Sequence, residues 1–149
     1  MIDKSRLRAQ LKEHEGVRKF VYDDATGAAI DETSFVRGKP TVGVGRNLAD
    51  RGLDDDEIDY LLDNDINDCL VLAARFRWFE GLEPVRQAVI VELLFNLGLT
   101  RFGQFKKFIT ACAEHRWVHA ADELKNSQWH RQVGKRAETL ERQILTGEW

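Results

Sequence analysis

The sequence predicts an α+β fold: a small N-terminal lobe with a short antiparallel sheet, a long connecting helix, and a helical C-terminal lobe. Three observations point there. Residues 17–22 and 41–44 alternate well enough for short strands and are bounded by Gly, Asp and Pro. Ile58, Leu61, Leu62, Ile66, Cys69, Leu70 and Ala73 recur at helical spacing as one apolar stripe. From Pro84 onward, apolar clusters keep helical spacing almost to the end of the chain. The boundaries read as about 1–53 for the first lobe, 54–76 for the connecting helix and 77–149 for the second lobe, within a single 149-residue domain.

Each element has a local reason. Asp3 can cap a helix over 3–14 on which Leu7 and Leu11 share a face, and Gly16 stops it. Residues 17–22 form a strand, and Asp23-Asp24-Ala25-Thr26-Gly27 is turn chemistry. Residues 28–40 read as an extended hairpin or loop closed by Gly38 and Pro40, followed by a strand over Thr41–Val44 that ends at Gly45. Asp54 and Glu57 form a capping box in kind at the start of the long helix. A helix of about 22 residues there would be about 33 Å long. Pro84 starts a helix that is apolar almost all round to Leu97, and so predicts the buried centre of the second lobe; Gly98 stops it. Further helices follow at Phe102–Cys112, Trp117–Leu124 and Arg136–Leu145, the last stopped by Gly147.

Composition limits the classes of function. Hydrophobic residues are 43% and charged residues 32%, a globular balance. No apolar run approaches the roughly 20 residues that span a bilayer, so no membrane insertion is expected. The first fifteen residues lack an apolar core segment, so no secretory signal is expected. The net charge is −3, with 11 basic and 16 acidic residues in 1–75 and 11 basic and 9 acidic in 76–149. That balance argues against a general nucleic-acid binder, which needs a basic field. Cys69 and Cys112 fall at apolar helical positions and read as free buried thiols.

Several motifs have an ordinary reading. Gly43-x-Gly45 lacks the third glycine and the βαβ setting of a dinucleotide loop; its glycines more naturally let a ligand approach the backbone. Asp63–Asp68 imitates the start of a calcium loop, but Asp68 and Ala74 stand where Gly and Glu belong. His115 and His119 have a metal-compatible spacing without a third ligand, and read as surface histidines. No metal and no cofactor is expected.

Glu15, Asp24 and Thr41 carry the chemistry. Two carboxylates and a hydroxyl on separate short elements are the parts needed for acid/base hydrolysis of a glycosidic bond. Glu15-Gly16, Tyr22-x-Asp24 and Thr41-Val42-Gly43-Val44-Gly45 resemble the active-site region of the bacteriophage lysozyme (endolysin, muramidase) family. Phe95-Asn96-Leu97-Gly98, Ser127-x-Trp129, Arg136-Ala137 and Thr146-Gly147-x-Trp149 extend the resemblance over nearly the whole chain. The chain departs from it at Gln128, where the family's best-known member has an Arg, and at Arg46, where that member has a His.

The resemblance implies a lysozyme-like fold and cleavage of the β-1,4 bond between N-acetylmuramic acid and N-acetylglucosamine in peptidoglycan. It implies Glu15 as general acid, Asp24 as the group that positions water, and Thr41 as its helper, with inversion at the anomeric carbon. A general acid calls for partial desolvation of Glu15 against an apolar wall. Phe95, Asn96, Gly43 and Gly45 are the implied substrate contacts, and Arg136 and Trp129 are support, with Arg136 paired to Glu15. Family members act as monomers that leave the host bacterial cytoplasm through a holin lesion and lyse the cell. The family's His–Asp pair maps to Arg46 and Asp65, an expected ion pair that docks the Gly45–Leu48 turn on the long helix. The rival readings are a lytic transglycosylase, which needs only the Glu, and a non-catalytic peptidoglycan-binding module.

Overall fold

The computed structural model describes residues 2–149. Its element order is α1 (Lys4–Glu15), β1 (Arg18–Asp23), β2 (Pro40–Gly43), β3 (Arg46–Asn47), α2 (Asp55–Ala73), a 3-10 turn (Phe79–Gly81), α3 (Pro84–Phe102), α4 (Lys106–Ala113), α5 (Trp117–Lys125), α6 (Gln128–Val133) and α7 (Lys135–Thr146). This is the α+β arrangement of a lysozyme-like fold. The chain divides into two compact units, Met1–Ile58 and Asp59–Trp149.

In the first unit the Asp3 carboxylate caps α1, accepting the N–H groups of Ser5 and Arg6 at 3.0 and 3.1 Å. Gly16, at φ 72°, ends the helix in a conformation that side-chain-bearing residues rarely adopt. The three strands form an antiparallel sheet in the order β1-β2-β3. Across β1 and β2, Arg18 faces Gly43, Tyr22 faces Thr41 and Asp23 faces Pro40. Gly43 and Gly45 both hold φ near +70°, which allows the tight reversal from β2 into β3. The sequence reading stops this hairpin at Gly45; β3 is too short, at two residues, to show an alternating pattern.

Among the described residues the first unit has no apolar core. Among its described residues only Asp23 and Thr41 are buried, each 3% exposed, while Val17, Phe20 and Phe35 stand in the open. Hydrogen bonds therefore hold this unit together where a larger domain would use apolar burial.

Glu57 begins α2 as expected, its carboxylate accepting the Asp54 N–H at 2.8 Å. The Asp54 carboxylate is engaged by Arg51 at 2.9 Å. Glu57 also receives both arms of the Arg46 guanidinium, Nη1 at 2.8 Å, and Nη1 reaches the Gly52 carbonyl at 3.1 Å. The sequence reading assigns Arg46 to Asp65; the structure gives Glu57 instead. The reason is local: the turn after β3 returns the chain to the first turn of α2, where Glu57 is already oriented by its capping role.

The second unit has a conventional core of helices. Val89, Ile90, Leu93 and Leu94 of α3 are almost fully buried, as their all-round apolar pattern predicts. α7 packs against α3, α5 and α6, and α4 packs against α5. Phe102 meets Phe76 and Phe108 edge-on at 5.4 and 6.3 Å. Gly98 (φ 69°, ψ 166°) breaks α3, so the run to Phe102 is a second helical segment. Arg86 is buried and ties the far end of α7 to α3, donating from Nε to the Ile144 carbonyl at 2.9 Å and from Nη2 to that of Leu145 at 3.1 Å. Those carbonyls are orphaned by the end of the helix. The guanidinium also lies 4.1 Å from the centre of the Trp117 ring and 2.7 Å from Glu83. Cys69 and Cys112 are free and buried, and burial pushes the Cys112 thiol up to about 12.

Among the described residues no helix is long and apolar enough to cross a membrane, and no group of three potential metal ligands occurs. Asp63–Asp68 lies inside α2. His115 precedes α5 with its ring edge-on to Trp117 at 5.2 Å, so it does not share a helix with His119.

Candidate active site

Glu15 is the last residue of α1, and its side chain is exposed. The stop at Gly16 turns it toward the glycine hairpin: a methyl group built on Gly45 would come 3.9 Å from Glu15 Oε2. The acid therefore sits beside the turn that follows the strand carrying Thr41.

Asp24 follows β1 directly and is exposed. Its Oδ1 accepts the Lys39 N–H at 2.6 Å, and its own N–H donates to the Lys39 carbonyl at 3.2 Å. The buried Thr41 hydroxyl donates to the same carbonyl at 3.0 Å. Thr41 is thus brought to Asp24 through one shared peptide group. Its hydrogen is committed to Lys39, which leaves its oxygen as an acceptor.

The residue that sequence reasoning missed is Asp23. Its carboxylate accepts three backbone N–H groups, from Arg37 at 2.7 Å, Gly38 at 2.9 Å and Ala25 at 2.9 Å. The Arg37 bond, with the smaller ones from Ala25 and Gly38, holds its carboxyl below the ordinary value against the opposing effect of burial. As one of two adjacent acids in a turn-rich stretch, it offered only a local signal. Partners fourteen and fifteen residues away are set by the path of the loop.

In the second unit the Trp129 indole N–H donates to Asn96 Oδ1 at 2.7 Å. Trp129 is buried, whereas Asn96 and Phe95 at the end of the first α3 segment are exposed. The Asn96 amide oxygen is thereby engaged, and the amide keeps its NH₂ as donor chemistry on an exposed residue. α6, unanticipated from the sequence, presents Trp129; Ser127 caps it by accepting the His130 N–H at 3.0 Å. Gln128 lines a groove of about 800 Å³ together with Trp129 and Phe105. Arg136, expected on Glu15, donates Nε to Glu92 Oε1 at 2.8 Å.

No protein-family model matches the chain. It is similar to two curated proteins of Dictyostelium discoideum, Probable T4-type lysozyme 1 (30% identical) and Probable T4-type lysozyme 2 (32% identical), each over 69 residues. The match covers 46% of this chain and 41% of each relative. This distant relationship supports a phage-lysozyme-like family, in agreement with the motifs around Glu15, Asp24 and Thr41.

Proposed function

We propose that the protein is a peptidoglycan hydrolase that cleaves the β-1,4 bond between N-acetylmuramic acid and N-acetylglucosamine and so lyses a bacterial host. The observation that carries this reading is the convergence in one small unit: Glu15 beside Gly45, with Asp24 and Thr41 joined through Lys39. Glu15 is the general acid that protonates the leaving glycosidic oxygen. Glu15 is exposed where the sequence reading asks for an apolar wall, so that wall is left for the bound glycan to supply. Asp24, open to water and fixed by one oxygen, orients the attacking water with its other oxygen, and the free lone pair of Thr41 helps to hold that water. This is the inverting scheme, in which the two carboxyl groups stand about 6.5–9.5 Å apart. Gly43 and Gly45 let the sugar approach the backbone. Phe95 and the amide of Asn96 are the proposed glycan contacts of the second unit, and Arg136 and Trp129 are their support.

Release from the host cytoplasm to the wall and action as a monomer belong to the same proposal, as does a single catalytic domain with α2 as its connecting helix. The test is clearing of permeabilised Gram-negative cells by wild type and by Glu15→Gln, with mass analysis of the released fragments. Clearing by wild type alone, with fragments that have gained water, is the expected result. Fragments lighter by one water identify a transglycosylase, and binding without clearing identifies a wall-binding module.

A further inference from the structure

We infer that Asp23 is a positioning residue for Asp24 and Thr41, acting through the backbone of Lys39. The inference rests on the hydrolase reading for its kinetic consequence, though not for its structural one.

Among the described residues of the first unit two are buried, Asp23 and Thr41. A carboxylate 3% exposed is costly unless its oxygens are bonded. Here the bonds come from both ends of an open loop: Ala25 at its start, and Arg37 and Gly38 at its finish. The chain between them pairs with the sheet at one bridge, Tyr22 with Ala29, and then turns around Asp31. Lys39 is held by Asp24 and Thr41, while the Asp23 carboxylate supplies the bonds that hold Arg37 and Gly38, the two residues before it.

Their placement decides the geometry at the carboxylate. Gly38, held by Asp23, precedes Lys39, whose N–H meets Asp24 Oδ1 and whose carbonyl receives both the Asp24 N–H and the Thr41 hydroxyl. The backbone of one residue, Lys39, therefore meets both side chains, and the Asp23 carboxylate holds the two residues that lead into it. The approach is close enough that a Cβ on Gly38 would run into the Asp24 carboxylate and into Ala25. Glycine at 38 is the residue that lets the loop lie against the acid. Asp23 touches no reacting atom in this scheme; its effect passes through the loop.

The experiment uses Asp23→Asn and Asp23→Ser. Asn places an NH₂ among three donors. Ser keeps an oxygen for the local Ala25 N–H but is too short to hold Arg37 and Gly38. Asp31→Asn, which loosens the 31–34 turn without touching Asp23, is the control. In both Asp23 variants kcat on peptidoglycan should fall about 10- to 100-fold while KM stays within about threefold. The Asp31 control should keep its kcat within about twofold. Amide exchange at Lys39, which makes no bond to Asp23, should accelerate at least about tenfold in the Asp23 variants.

Wild-type exchange at Lys39, or wild-type kcat in a folded Asp23 variant, would overturn the inference. Failure of both variants to fold would make Asp23 a folding residue and overturn it as well. An inactive wild type would sink the hydrolase reading, and the Lys39 exchange would still decide the positioning claim.

Discussion

Asp24 and Thr41 meet on the backbone of one residue: the Lys39 N–H donates to the Asp24 carboxylate at 2.6 Å, and the Lys39 carbonyl accepts the Thr41 hydroxyl at 3.0 Å. The acid and the hydroxyl are seventeen positions apart in the chain. Their relation is set by hydrogen bonds, and its energetics are open to substitution.

Thr41→Val keeps the shape of a side chain that is 3% exposed and removes its hydroxyl. The Lys39 carbonyl keeps the Asp24 N–H at 3.2 Å, so it is not orphaned. The expected cost is about 1 kcal/mol of stability, the net worth of one hydrogen bond. Activity should fall well beyond what the lost folded fraction explains, because the water-holding oxygen is gone. Thermal unfolding and kcat, measured on the same preparation, check this.

The Asp23 carboxyl is held below its ordinary value of 3.8, first by the Arg37 N–H. A depressed carboxyl contributes stability that is present above the unfolded value and lost as pH falls through the folded one. Protection of residues 37–39 should therefore be flat near neutrality and collapse only below about pH 4. Asp31, Asp50 and Glu57 are lowered too and titrate in the same acid range. The informative quantity is accordingly the difference between wild type and Asp23→Asn across an acid series of melts. A difference that stays constant down to pH 2 would contradict the assignment.

Arg46 and Glu57 form a two-armed ion pair on half-buried side chains. The Asp54 N–H and then Arg46 hold the Glu57 carboxyl below its ordinary value. Arg46→Gln and Glu57→Gln should be non-additive in a double-mutant cycle at neutral pH, and the coupling should vanish in acid as Glu57 protonates. A cycle pairing Arg46→Gln with Asp65→Asn should be additive. The reverse pattern in thermal unfolding would restore the partner expected from the sequence.

Asn96→Leu strands the buried Trp129 indole N–H, now bonded at 2.7 Å. An unsatisfied buried donor costs about 1–3 kcal/mol. The proposed glycan contact is lost with the amide, so KM should rise. Trp129→Phe removes the donor and leaves the amide in place, so it should cost less stability than Asn96→Leu. Unfolding followed by fluorescence and circular dichroism ranks the two.

The sequence by itself determined the elements whose signals are local. Asp3 and Gly16 bound α1, Glu57 starts α2, Pro84 starts α3, Gly98 breaks it and Gly147 ends α7, because capping and left-handed φ depend on a few adjacent residues. The apolar run of α3 likewise announced its burial. Glu15, Asp24 and Thr41 stood out as candidates through their motifs. Tertiary structure alone decided which partners the polar side chains take. Asp23 looks the same as Asp24 in the chain, yet the return of Arg37 and Gly38 buries one and leaves the other open. Arg46 takes Glu57 over Asp65, Arg136 takes Glu92, and Asn96 takes Trp129. A hydrogen bond needs donor and acceptor within about 3 Å and aligned, and no spacing in the sequence states that distance until the loops have closed.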